Sequence, residues 1–123
     1  MKLRIQGNSV RVRVTQTEVR QLAAHHPIEQ ATEFPGSSKL ITRLECQPPT
    51  NALAATFADG VLIARLPSEL VRVWAETDQV GIEACQPLPG GKSLHILIEK
   101  DFDCLHPRPQ ENVDTFPNPK SKS

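Results

Sequence analysis

FPGSSKLITRLE, residues 34–45, returns without a gap at 88–99 as LPGGKSLHILIE, sharing proline, glycine, leucine and glutamate at equivalent places. A repeat of this kind constrains the whole fold, and the match extends upstream of both segments at an offset of about 51 residues. The first copy opens with alternating LRI, the turn GNS and VRVRV; the second opens with LAATF, the turn ADG and VLIARL. Period-two alternation on either side of a Gly/Asn/Asp turn predicts a β-hairpin in each copy.

Each hairpin runs straight into a predicted helix. Thr15 and Glu18 form a T-x-x-E capping box in the first copy, satisfying the free amides of the opening turn. In the second, Pro67 falls at the first helical position, with Glu69 in the place of Glu18. Val19, Leu22 and Ala23 then correspond to Leu70, Val73 and Trp74, an i, i+3, i+4 stripe that predicts one buried face per helix. The polar breaks HHP at 25–27 and ETD at 76–78 end the helices. At the first of these, cationic side chains complement the helix dipole and a proline forbids continuation. Third strands follow at IEQATEF (28–34) and VGIEAC (80–85), and Pro-Gly turns lead into the fourth.

The expected fold is α+β and mostly β: a single internally duplicated (ββαββ)2 small barrel with two short helices. Repeat one spans 1–47 and repeat two 51–101, and the linker QPPT, 47–50, is too short to separate two domains. Neither half covers its own apolar faces, so the copies interlock, and closure hides the strand edges. A closing segment, 101–106, completes a domain of residues 1–106. The remainder, 107–123, holds four prolines in 17 residues and is expected to be an extended or disordered tail. Its Val113 and Phe116 are the groups through which it would dock on a protein partner.

Fourteen basic and fourteen acidic residues cancel, which argues against a protein that coats nucleic acid by charge alone. The distribution is uneven: residues 1–20 carry five cations against Glu18, whereas 67–106 carries three cations against seven acids. With four phenylalanines, one tryptophan and no tyrosine, the chain offers no aromatic platform for stacking single-stranded RNA. No stretch reaches the roughly 18 apolar residues of a membrane span, and the N-terminus lacks a signal-peptide core. Three cysteines at unrelated spacings fit reduced thiols. A cytoplasmic protein is expected.

Chemistry-bearing residues gather in two places. In VRVRV the valines 10, 12 and 14 point one way and Arg11 and Arg13 the other, while on the facing strand Leu3 and Ile5 turn inward and Lys2 and Arg4 outward. Lys2, Arg4, Arg11 and Arg13 thus share one face, suited to phosphate contacts; the alternative is a solvated strand face. Copy two keeps only Arg65 there, so a binding surface is one-sided, or doubled only by dimerisation. If these residues bind duplex DNA, reversing Arg11 and Arg13 is expected to weaken binding and leave the thermal midpoint nearly unchanged. The second place is DFDCLH, 101–106, which copy one lacks. Asp103, Cys104 and His106 are candidate ligands for zinc or another divalent transition metal, with His25, His26, Cys85 or His95 as reserves. A structural zinc site takes four ligands, however, and no CxxC pair is present. The other reading is a plug, Phe102 and Leu105 covering the barrel mouth. A Cys104–His106 dyad lacks an orienting group and an oxyanion hole. No Walker loop, dinucleotide fingerprint, HExxH or GxSxG occurs, so the chain points away from a conventional enzyme with a cofactor.

GNSVRVRVTQTEV (7–19) resembles the N-terminal hairpin of MazE-type antitoxins and other AbrB-like swapped-hairpin barrels, and DGVLIARLPSELVRVW (59–74) is similar to it. In that group the barrel is usually a dimer of ββαββ chains; a tandem copy in one chain is similar to the MraZ type of regulator and leaves monomer and homodimer both open. The resemblance implies duplex DNA as partner, with Arg4 and Arg13 on positions that are basic in the group. Thr15 departs from the pattern, which has proline there, as do Ile5, where a second basic residue is common, and Thr77, where glycine is usual. A double-psi barrel would present the same order of elements. The whole chain, with its EKDFxCLHPR and FPNP ending, also looks like a bacterial family of unknown function. The competing function class is a protein-binding or metal-binding accessory domain built on Asp101–His106 and the tail.

Overall fold

The computed structural model of the protein describes residues 1–48 and 51–102. Its elements run β1 (Lys2–Gln6), β2 (Ser9–Val14), α1 (Gln16–Ala23), β3 (Ile28–Phe34), β4 (Ser38–Gln47), β5 (Ala54–Ala58), β6 (Val61–Pro67), α2 (Ser68–Glu76), β7 (Gly81–Leu88) and β8 (Lys92–Lys100). The order ββαββ therefore occurs twice, in a mostly β fold with two helices. Two four-stranded sheets result, β1-β2-β8-β7 and β3-β4-β6-β5. Each combines the opening hairpin of one copy with the closing hairpin of the other. The joints are parallel, β2 with β8 and β4 with β6, while all hairpin pairs are antiparallel.

Hydrogen-bonded pairing does not close into a barrel, because β1, β7, β3 and β5 remain sheet edges. Between β5 and β7 a side chain takes the place of a ladder: Ala55 N donates to Gln86 Oε1 at 2.8 Å and Gln86 Nε2 donates to Ala55 O at 3.2 Å. A carboxamide offers one donor and one acceptor, as a peptide group does.

Superimposing the copies by their contacts corrects the sequence register. Ile41 N donates to Gly60 O and His95 N to Asn8 O, so the closing hairpins correspond at an offset of 54 and the opening hairpins and helices at 52. Val19 and Leu22 then match Val71 and Trp74, and these are the helix residues in the core. Leu70, expected inside, is 44% exposed, and Ala23 is exposed too. The slip arises at Pro67, which occupies the N-cap with extended ψ of 130° and not the first helical position. Its equivalent is Thr15, whose hydroxyl accepts from Glu18 N while Glu18 Oε1 accepts from Thr15 N, the expected capping box.

The core lies between the sheets and under the helices. Val10, Val12 and Val14 of β2 and Leu62, Ala64 and Leu66 of β6 face it with Ile96 and Ile98, and Trp74 is wholly buried with its Nε1 donating to Val80 O. Burying each such aliphatic side chain contributes about 1.5–3 kcal/mol. Ile5, expected inward, is 59% exposed, and its counterpart Phe57 66%; both sit on edge strands beside the hairpin turn, past the cover of the facing sheet.

Helix α1 ends at the expected break, where backbone hydrogen bonds close it. His26 N donates to Gln21 O at 2.8 Å and His25 N to Leu22 O at 2.9 Å, the paired bonds of a Schellman ending, with His25 at φ 63° in the place where glycine is usual. A left-handed non-glycine residue costs about 1–2 kcal/mol. His25→Gly is therefore expected to raise the thermal midpoint by a few degrees, and an unchanged or lower midpoint counts against this account of the helix end.

Candidate nucleic-acid interface

The β1–β2 hairpin turns on Gly7, at φ 54°, and its register sets Lys2 opposite Arg13 and Arg4 opposite Arg11. Period-two alternation puts all four on the outer face of the sheet, two like-charged cross-strand pairs stacked one above the other. They enclose a hollow of about 170 Å³ with Leu3. The Lys2 side chain is 72% exposed, and Arg4 is exposed and makes no ion pair with any described residue.

Like charges held opposite one another call for counter-charge, and β8 supplies it. Glu99 Oε1 accepts from Arg11 Nε and from Arg13 Nε, each at 2.8 Å, and Lys2 Nζ lies 3.0 Å from Asp101 Oδ2. Glu99 pairs with Arg13 in the parallel register and is buried. Burial pushes its carboxyl up, but the hydrogen bonds from Arg13 and Arg11 outweigh that and hold it below the ordinary 4.5. Among the described residues the face thus carries four cations over two acids. Neither acid was read from the sequence as part of it, although Glu99 was visible there as the residue matching Glu45.

The other sheet has the same clamp without the basic excess. Glu45 accepts from Arg43 Nε at 2.8 Å and Arg65 Nε at 2.9 Å, and Arg43 also lies 3.6 Å from Glu29. The bond from Arg43, opposed by burial and assisted by Arg65, holds the Glu45 carboxyl below 4.5. At an offset of 52, Lys2, Arg4 and Arg11 become Ala54, Thr56 and Ile63. Among the described residues the strongly basic arrangement is on one sheet.

Of the metal candidates, Asp103, Cys104 and His106 lie outside the described residues, as does Leu105. Among the described residues no group of three His, Cys, Asp or Glu is placed to hold a metal ion. His95 instead bridges Glu83 Oε2 at 3.0 Å and Ser9 Oγ at 3.4 Å, opposite Cys85 in the β7–β8 register. The Cys46 thiol donates to Leu22 O, and burial pushes it above the ordinary 9.0, away from thiolate chemistry. No described helix is long and apolar enough to cross a membrane.

Arg11 and Arg13 are consequently structural as well as basic. The expectation that reversing them leaves stability untouched fails, because it would strand the buried Glu99 carboxylate. Arg11→Glu with Arg13→Glu is expected to lower stability by about 1–3 kcal/mol, partial exposure of both arginines keeping the loss below that of a fully buried pair. The clamp also has a pH signature. A folded pKa depressed below 4.5 contributes stability above that value, lost as pH falls through the folded pKa. Urea midpoints of the parent should therefore drop between about pH 5 and pH 3 more steeply than those of Glu99→Gln; equal slopes would show that Glu99 does not carry the acid response.

A family model described as a family of unknown function, DUF7009, matches residues 1–120. No curated protein and no solved structure gives a match.

Proposed function

Because the chain belongs to that family, which brings no activity with it, we propose from geometry that the protein is a small nucleic-acid-binding regulatory module whose β1–β2 face contacts the phosphate backbone of duplex DNA. One observation carries the reading: Lys2, Arg4, Arg11 and Arg13 are held in a two-by-two register on a rigid strand pair. Phosphate contacts need cations on a firm platform and no base-reading group. The resemblance of residues 7–19 and 59–74 to AbrB/MazE-like hairpins points the same way, and the exchange of hairpins between copies agrees with that architecture.

Glu99 and Asp101 limit the strength of the contact. With at least two of the four charges internally compensated, at most about two phosphates are neutralised per protein, and affinity falls by up to roughly tenfold between about 50 and 200 mM salt. Lys2 and Arg4 are the residues to test, since neither holds Glu99. Titration of fluorescent random-sequence duplex DNA should show that slope, and Lys2→Glu with Arg4→Glu should abolish it while the thermal midpoint stays within a few degrees. Equal affinity in parent and variant, or no binding at about 50 mM salt, overturns the reading.

The competing reading is a protein-interaction module. Exposed Ile5 and Phe57, at equivalent places in the two copies, favour it, and absence of DNA binding would make that apolar pair the next target. A metal-binding role rests on residues 103–106 alone, outside the described part of the chain.

A further inference from the structure

Where β2 passes into α1, a cleft of about 660 Å³ opens between α1, α2 and the end of β8. Val14, Val19, Ala23 and Ala75 supply its apolar lining, with Arg20, Lys100 and Phe102 also lining it. That volume is within the usual range for small-molecule sites, which pair an apolar lining with a few polar groups. Phe102 is 58% exposed, an aromatic face left open in the lining of the hollow.

The duplication shows what is particular to this cleft. In copy two, Arg72, the equivalent of Arg20, is held between Glu69 and Glu76 on either side of it. The corresponding residues of copy one are Thr17 and Ala24, so both acids are gone and Arg20 bonds to Thr17 Oγ1 alone, at 3.3 Å, among the described residues. Lys100 occupies the place of Cys46, whose thiol turns to Leu22 O; its ammonium donates to Thr77 O at 2.8 Å and has two further protons to offer. The junction itself also differs: Pro67 is fully buried, whereas its equivalent Thr15 is exposed. Asp101 is the acid in the described lining, and Lys2 compensates it at 3.0 Å.

We infer that this cleft is a binding site for a small organic anion: an apolar body on the valine and alanine lining, and a carboxylate, sulfonate or phosphate on Arg20, with Lys100 beside it. A guanidinium with no carboxylate partner among the described residues offers two parallel N–H donors to such a head group. The site adjoins the β1–β2 face at Asp101 but uses none of that face's four cations, and it stands without the DNA reading.

The probe is 1-anilinonaphthalene-8-sulfonate, titrated by fluorescence into the folded full chain, with neutral N-phenyl-1-naphthylamine as its uncharged analogue. The expected result is one saturable sulfonate site per chain that raises the thermal midpoint. Arg20→Glu should weaken the sulfonate about tenfold or more and leave the neutral analogue unchanged, Ala23→Trp, which fills the cleft from an exposed helix position, should abolish both, and Lys92→Glu should alter neither. Weakening by Arg20→Glu with intact DNA affinity separates this site from the basic hairpin. Absence of saturable binding overturns the inference, whether the chain's own C-terminal residues or a second copy fill the space. Binding indifferent to Arg20→Glu or to Ala23→Trp overturns it equally.

Discussion

Two parallel strand joints hold the molecule together. β2 meets β8 and β4 meets β6, and in both cases the partners come from different copies of the repeat. Without them each sheet would fall into two hairpins, and a lone hairpin is marginal in water. The joints also fix register. Glu99 faces Arg13 across one and Glu45 faces Arg65 across the other, each carboxylate gathering a second arginine. A one-residue slip would turn every side chain of the moving strand to the opposite face, driving Arg11 and Arg13 into a core lined by Ile96 and Ile98. Apolar alternation inside and charge clamps outside therefore specify the same pairing.

This constraint bears on the basic hairpin. Arg11 and Arg13 are already engaged within the fold, and their guanidiniums are oriented by Glu99. Fixing long side chains in advance lowers the entropy lost on contact, at the expense of net charge. Lys2 and Arg4, on the edge strand β1, keep more freedom and more exposure. The face thus divides into an inner row that orders the sheet and an outer row more open to a polyanion.

Much of the fold was legible in the sequence because it is carried by local signals: turn glycines, the Thr15–Glu18 capping box, the matching Pro-Gly turns, and period-two alternation. The long-range features were not. Nothing local states that Glu99 would lie against Arg11 and Arg13, since that contact depends on which copy pairs with which. The helix register was misread by one residue because proline suits both the N-cap and the first helical turn, and only burial of Val71 in place of Leu70 distinguishes them. Closure was over-read: the hairpins interlock as two sheets, and at one seam Gln86 stands in for a strand ladder, a role its counterpart Thr32 has too short a side chain to play. DFDCLH drew attention as a motif, whereas among the described residues the chemistry gathers on the hairpin and beside α1.

A duplicated chain carries its own control. Both copies meet the same backbone demands, so agreement between equivalent positions marks what the fold requires: Gly36 and Gly90, Ile28 and Ile82, Glu45 and Glu99, Arg65 and Arg13. Disagreement marks where the fold is indifferent and another requirement can act. Lys2, Arg4 and Arg11 against Ala54, Thr56 and Ile63 is one such set. Thr17 and Ala24 against Glu69 and Glu76 is another. In both sets copy one is the more positive, by gain of cations on the hairpin and by loss of acids around Arg20. A solubility requirement alone would be met as well by either sign of charge. The shared direction of these changes is what links the two anionic contacts proposed for these faces.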